Sequence, residues 1–165
     1  MPTFKLEFMT PQEIKSLVMT SHLCRIAFKG DEHPYIAPFQ YSYVNDSLYF
    51  HFAPYGRKMR YLMEEPNVCV EIEQNAPDMS DYRVVMLRGT LVRVTDAVEK
   101  QAAVNALTSI AMRESFSPKF LAAHGFDSSV DWKSLDASVM ELEIVKLAKI
   151  VEVTALKAPQ GTSWG

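Results

Sequence analysis

The densest concentration of chemistry-bearing residues is one run, Tyr49-Phe50-His51-Phe52-Ala53-Pro54-Tyr55-Gly56-Arg57-Lys58-Met59-Arg60. A strand-like stretch ends, a Pro/Gly turn follows, and a helix begins with two cations. Cations at a helix N-terminus oppose the macrodipole, at a cost of order 0.3–1 kcal/mol each. A bound anion reverses that sign. Arg57, Lys58 and the free amides of the first turn would then converge on a phosphate. Adjacent Lys/Arg residues are also common in solvated turns, and spacing alone leaves both readings open.

The remaining candidates are sparser. His51 sits on a strand with no Asp or Glu close to it in sequence, so nothing local tunes it as a general base. It reads as a ligand contact or as a half-buried strand histidine with one structural hydrogen bond. His22, His33 and His124 show no His-x-x-x-His spacing, which argues against a metal site. Cys24 and Cys69 lie far apart, each in an apolar run, and read as buried reduced thiols. Tyr35, Tyr41, Tyr43 and Tyr55 fit ordinary barrel packing or an aromatic pocket. Trp164 stands in a C-terminal stretch of irregular composition. Gly-x-Gly-x-x-Gly after a strand, a P-loop and a Gly-x-Ser-x-Gly elbow are all missing, which disfavours a dinucleotide fold and a serine hydrolase.

The elements that must position these residues follow from periodicity and turn chemistry. Thr10-Pro11-Gln12-Glu13 is a capping-box helix start, and the helix should reach about Thr20. Leu23–Phe28 reads as a strand closed by the turn 29–34. Tyr35–Val44 places Tyr35, Phe39, Tyr41 and Tyr43 on one face and Ile36, Gln40 and Ser42 on the other. After an Asn45-Asp46-Ser47 turn, Leu48–Phe52 forms a strand with Leu48, Phe50 and Phe52 on one side. Arg57–Glu64 is helical and stops before Pro66. Val68–Glu73 alternates, and Tyr82–Val94 is a long strand with a bend or bulge at Gly89. Asp96-Ala97-Val98-Glu99 reads as a second capping box. It opens a helix to about Arg113 with Val98, Ala102, Ala106 and Ile110 on one stripe. A further short helix is expected over Ser117–Ala123. Met140–Val153 closes as a long strand or strand pair whose alternation slips near Val145-Lys146, as at a bulge. Strands joined by short turns, with few helices, favour an antiparallel barrel with peripheral helices.

Composition bounds the function. The chain has 165 residues, 48% hydrophobic and 22% charged, which suits one soluble domain. The net charge of -3 argues against a nucleic-acid binder. No apolar run is long enough to span a membrane, and the N-terminus lacks the build of a secretory signal, so a cytoplasmic location is expected.

The ordered segments resemble the FMN-binding split-barrel family, which includes the pyridoxamine 5'-phosphate oxidases. Within that family the chain is most similar to the nitroimidazole-resistance-like branch. Tyr49-Phe50-His51-x-Ala53-x-x-Gly56-Arg57-Lys58 carries the resemblance. Tyr35–Tyr43, Glu65-Pro66-Asn67-Val68 and Tyr82-Arg83-Val84-Val85 with Gly89 support it, and it is strongest over Glu13–Ala111. The resemblance implies a mainly β chain with peripheral helices, an antiparallel split β-barrel over residues 1–155 with an irregular tail at 156–165. It further implies a homodimer with FMN in the subunit interface. Arg57 and Lys58 match the positions that hold the FMN phosphate. His51, Phe52 and Ala53 match the strand end flanking the ribityl chain and ring. Pro38, Phe39 and Gln40 match the strand whose backbone meets the isoalloxazine edge. Arg83 and Val84 stand where relatives place a polar contact, and Val84 departs from the usual Ser or Gln.

Two functions follow as expectations. One is an FMN-dependent oxidoreductase reducing a small electrophile such as a nitroaromatic, with NAD(P)H as electron donor. The other is a non-catalytic flavin-binding or storage protein. A third possibility keeps the barrel and exchanges FMN for heme or a deazaflavin. Oxidation of pyridoxamine phosphate fits less well, because the C-terminal part shows no Arg/His cluster for a second phosphate.

Overall fold

The computed structural model describes residues 5–117, 119, 122, 137 and 143–159. The expected helix over Ser117–Ala123 falls almost wholly outside them, as do His124 and Trp164. The elements in chain order are β1 (Glu7–Phe8), α1 (Pro11–Thr20), β2 (Leu23–Phe28), β3 (Tyr35–Val44) and β4 (Ser47–Phe52). Then come α2 (Arg57–Glu64), β5 (Asn67–Asn75), β6 (Tyr82–Arg93), α3 (Ala97–Arg113) and β7 (Glu143–Lys157). The sheet runs β1-β7-β4-β3-β2-β5-β6, and a further β6–β7 pairing closes β2 to β7 into an antiparallel barrel of six strands. This is the split-barrel fold that the sequence led us to expect. Among the described residues no helix is long and apolar enough to cross a membrane.

Period-two alternation builds the barrel interior. Phe28, Phe39, Phe50, Phe52, Val70, Val85 and Leu147 all point into one buried cluster, each on the face the alternation assigned or continues. The β3–β4 hairpin turns on Asn45 and Asp46, both at positive φ, the conformation a two-residue type I′ turn needs. A second, smaller cluster lies outside the barrel. There α3 covers Tyr49 and Ile144 with Ala103, Val104 and Leu107.

Several local expectations are corrected. The bulge in β7 lies at 149–151, opposite Gly89, not at Val145-Lys146, which stay in regular register with Arg93 and Val92. Alternation slips at Val145 because Ile144 packs under α3 while Val145 packs inside the barrel, so both neighbours are buried. β7 also runs to Lys157 and pairs with β1 there, so residues 156–157 belong to the sheet rather than to the tail. In α3 the buried residues are Ala103, Val104, Leu107, Thr108 and Ala111, whereas Val98 is 79% exposed. Polar residues such as Glu99, Lys100, Asn105, Ser109 and Arg113 are spread round the helix, so periodicity alone does not select its buried face. Two tethers select it instead: Glu99 reaches Tyr49 and Lys146, and the Gln40 amide reaches the Leu107 carbonyl. Glu99 therefore completes no capping box. Asp96 accepts from its amide, but its side chain turns to the sheet. Cys24 is buried, and burial pushes its thiol pKa up, but Cys69 is only half-buried on the outer face.

Candidate functional site

Strand register brings two of the segments singled out from sequence side by side. Tyr41 pairs with Phe50 and Ser42 with Tyr49, so continuing the ladder sets Gln40 opposite His51 and Phe39 opposite Phe52. The Phe39 and Phe52 rings confirm it, stacking at 4.8 Å between centroids. Both rings face inward, and Phe52 is 1% exposed, so only its backbone is available to anything outside the barrel. The alternate residues face outward. Pro38 is exposed, and Gln40, His51 and Ala53 are half-buried. Gln40 donates its Nε2 proton to Leu107 O at 3.3 Å, which seats α3 beside this strand pair.

The chain leaves β4 through Ala53–Tyr55 and enters α2 at Gly56. Gly56 has φ 87 and ψ -178, a combination that residues with a Cβ almost never adopt. The space around it is open: nothing lies within 4 Å of where a Cβ would stand. No side chain caps the helix. Its first internal bond is Arg60 N to Gly56 O, so the amides of Arg57, Lys58 and Met59 have no acceptor within the helix.

α2 lies across one mouth of the barrel, with Tyr61 and Leu62 buried. Tyr61, Tyr35, Phe28, Phe39 and Phe52 form one aromatic cluster there. The cations rest on its faces. Arg57 Cζ is 5.4 Å from the Tyr35 centroid and Lys58 Nζ is 4.6 Å from that of Phe39. Among the described residues neither has an ion-pair partner. Arg60 differs, for it pairs with Asp31 and Glu64. That guanidinium holds the Asp31 carboxyl below the usual carboxylate range.

The arrangement suits a compact dianion. It supplies two unpaired cations, three free amides and open space at Gly56, on the end of the helix that carries partial positive charge. A phosphate monoester fits these donors.

Arg83 and Val84 do not join this site within one chain. They open β6 and pair with Gln74 and Glu73, whereas the α2 mouth lies at the Gly89–Arg93 end. The seven steps of strand from Arg83 to Thr90 span roughly 23 Å. Arg83 pairs with Asp81, and the Val84 side chain is buried. Conversely, the sequence reading did not single out Asp31, Tyr61, or the triad in which Tyr49 Oη and Lys146 Nζ both donate to Glu99 Oε1, at 2.8 and 2.7 Å. Burial raises the Tyr49 pKa, and the Lys146 bond lowers that of Glu99. These partners are distant in sequence, and no local pattern marks them.

Comparison with known proteins bears on the site only through the fold. A structure from Bacteroides thetaiotaomicron VPI-5482, described as a candidate 5-nitroimidazole antibiotic resistance protein, superposes with a TM-score of 0.67. It is 22% identical, with 96% of this chain and 93% of that one covered. A FAD-binding protein from Mesorhizobium loti gives 0.63 at 18% identity, covering 93% and 99%. A FAD and heme binding protein from Mycobacterium smegmatis gives 0.66 at 16%, covering 98% and 77%. No curated protein matches the sequence. The model of the pyridoxamine 5'-phosphate oxidase family matches residues 10–134, which include β2 to β6, both flanking helices α1 and α3, and the whole of the α2 mouth. The chain belongs to the pyridoxamine 5'-phosphate oxidase family.

Proposed function

We propose that the protein binds FMN, with its phosphate on Arg57, Lys58 and the first-turn amides of α2. The isoalloxazine ring then lies along the outward edges of Pro38–Gln40 and His51–Ala53. One observation carries this reading: two adjacent cations at an uncapped helix N-terminus lie on ring faces instead of carboxylates. Such a pair is unfavourable in an empty helix and favourable once an anion is present. The FAD-binding description of two structural neighbours is consistent with a flavin as the bound group.

When bound, the flavin supplies the redox chemistry, a hydride or two single electrons. The chain's own residues bind, orient and shield it. Arg57 and Lys58 neutralise the phosphate, the Phe39–Phe52 stack fixes the two strand ends, and α3 covers the adjoining outer face through Gln40. His51 contacts cofactor or ligand. Arg83 and Val84 reach the same flavin only from a second copy, so a homodimer with the cofactor between subunits is part of the proposal. The reaction is reduction of a small electrophile such as a nitroaromatic by NAD(P)H, in the cytoplasm.

The visible spectrum of the purified full chain tests the binding. Oxidised-flavin bands that stay with the protein through desalting, and leave it when it is desalted in excess inorganic phosphate, are expected. A Soret band, or a colourless protein that takes up no FMN, defeats the proposal. Bleaching by NAD(P)H followed by turnover with a nitro compound separates an enzyme from a carrier.

A further inference from the structure

Three cations crowd the first turn of α2, and the structure treats them unequally. Arg57 and Lys58 are unpaired among the described residues, whereas Arg60 is fully committed. Its guanidinium donates to Asp31 twice, at 3.0 Å to Oδ1 and 2.6 Å to Oδ2. It also lies 3.4 Å from the Glu64 carboxylate and 4.7 Å from the centroid of the Tyr61 ring. The same Asp31 carboxylate accepts a hydrogen bond from Tyr61 Oη at 3.3 Å. Asp31 belongs to the β2–β3 loop, whose path depends on Gly30. That residue has φ +51, and a Cβ on it would stand 2.0 Å from His33 O. A separate, tightly turned piece of chain therefore grips α2 by two consecutive side chains.

A lone exposed ion pair stabilises little. A planar fork on a carboxylate differs, because it fixes direction as well as distance. Here a phenol and a ring face reinforce it. α2 needs such a handle. It has eight residues, no side-chain cap and two cations opposing its dipole. Its rotation decides where the three free amides and the two unpaired cations point.

We propose that Asp31 is a positioning residue for the phosphate subsite: by gripping Arg60 and Tyr61 it sets the rotation of α2 and so aims Arg57, Lys58 and the first-turn amides at one anion. This rests on the phosphate reading of α2 given above. Arg60 is then the handle, not an anion ligand. Simple charge and positioning make opposite demands on Asp31. Its negative charge beside the subsite repels phosphate, so if charge were all, its removal would strengthen binding of the phosphate. Positioning requires that removal weaken it.

The experiment measures affinity of the full chain for FMN and for riboflavin, which lacks only the phosphate. The ratio of the two isolates the subsite. In Asp31→Asn and in Arg60→Lys the FMN preference should fall by about tenfold or more, the scale of one charge-assisted hydrogen bond. Riboflavin affinity should hold. Asp31→Glu, which keeps the carboxylate, should recover part of the preference. Arg60→Lys keeps the charge and loses only the fork, so it carries the test if Asp31→Asn does not fold. A preference that is unchanged or raised in Asp31→Asn or Arg60→Lys overturns the proposal, as does an equal loss for both ligands. A wild-type chain that binds FMN no better than riboflavin overturns the phosphate reading itself, an outcome visible before any variant is made.

Discussion

Helix α1 begins with Thr10 and Glu13 in a reciprocal capping box, whereas α2 begins with Gly56, Arg57 and Lys58 and no side-chain cap. In α1 the acid sits where the dipole wants it. Glu13 accepts from the Thr10 amide at 2.7 Å and from Lys157 at 2.7 Å, tying the helix to the end of β7. Every charge there is answered from within the fold. In α2 the charges have the wrong sign for the dipole and rest on Tyr35 and Phe39. One helix start is completed by the folded chain alone; the other, on the reading proposed above, is completed by a bound anion. Stability spent at one point of a barrel whose other parts are well satisfied is what a binding site looks like in physical terms.

The comparison can be broken most directly by removing both α2 cations. Arg57→Ala with Lys58→Ala should weaken FMN binding by several kcal/mol, at about 1.5–3 kcal/mol per charged hydrogen bond, while apo stability changes far less, because relief of the dipole offsets the lost ring contacts. Fluorescence-quenching titration reads the first and urea unfolding the second. An unchanged FMN affinity would mean that α2 is an ordinary basic turn. Next in size, Thr10→Ala should cost about 1 kcal/mol of unfolding free energy and leave flavin affinity untouched, because it removes a cap that serves only the fold. A smaller and sharper test is Arg57→Glu. It should abolish phosphate-dependent binding while apo stability stays within about 1 kcal/mol of wild type, because the gain against the dipole is offset by the lost contact with the Tyr35 ring.

Acid titration probes the α1 side. The Lys157 hydrogen bond, with those from Thr10, holds the Glu13 pKa at about 2 against an ordinary 4.5. A carboxyl depressed on folding contributes stability that is complete above pH 4.5 and disappears as pH falls toward 2. Wild type should therefore lose more stability between about pH 5 and pH 3 than Glu13→Gln, which has no such carboxyl to protonate. Equal acid slopes in urea melts would show that the latch contributes nothing.

Much of this was legible locally. The Thr10 capping box, the start of α2 after Gly56 and the inward face of β3 all depend on residues within a few positions of one another. The family resemblance drew Pro38–Gln40 and His51–Ala53 to one site, and the register of a two-residue hairpin explains why they meet. What failed to show had no local cause. The face of α3 is chosen by Gln40 and by the Tyr49–Lys146 pair, dozens of residues away, and periodicity in a helix whose polar residues are spread round it pointed to the wrong stripe. The two-residue β1 is shorter than any pattern. Asp31 reads as an ordinary turn residue until Arg60 is seen across from it.

By itself the sequence determined α1 to α3 and β2 to β7 to within a few residues, and which helix start could hold an anion, because those depend on spacing, capping and dipoles that act over one or two turns. Only the tertiary structure decided that Arg57 and Lys58 are the unpaired cations while Arg60 is not. It alone put Arg83 at the far end of β6, away from the α2 mouth. Those outcomes depend on barrel closure, which brings β2, β3 and α2 to one mouth and fixes which charges find partners there.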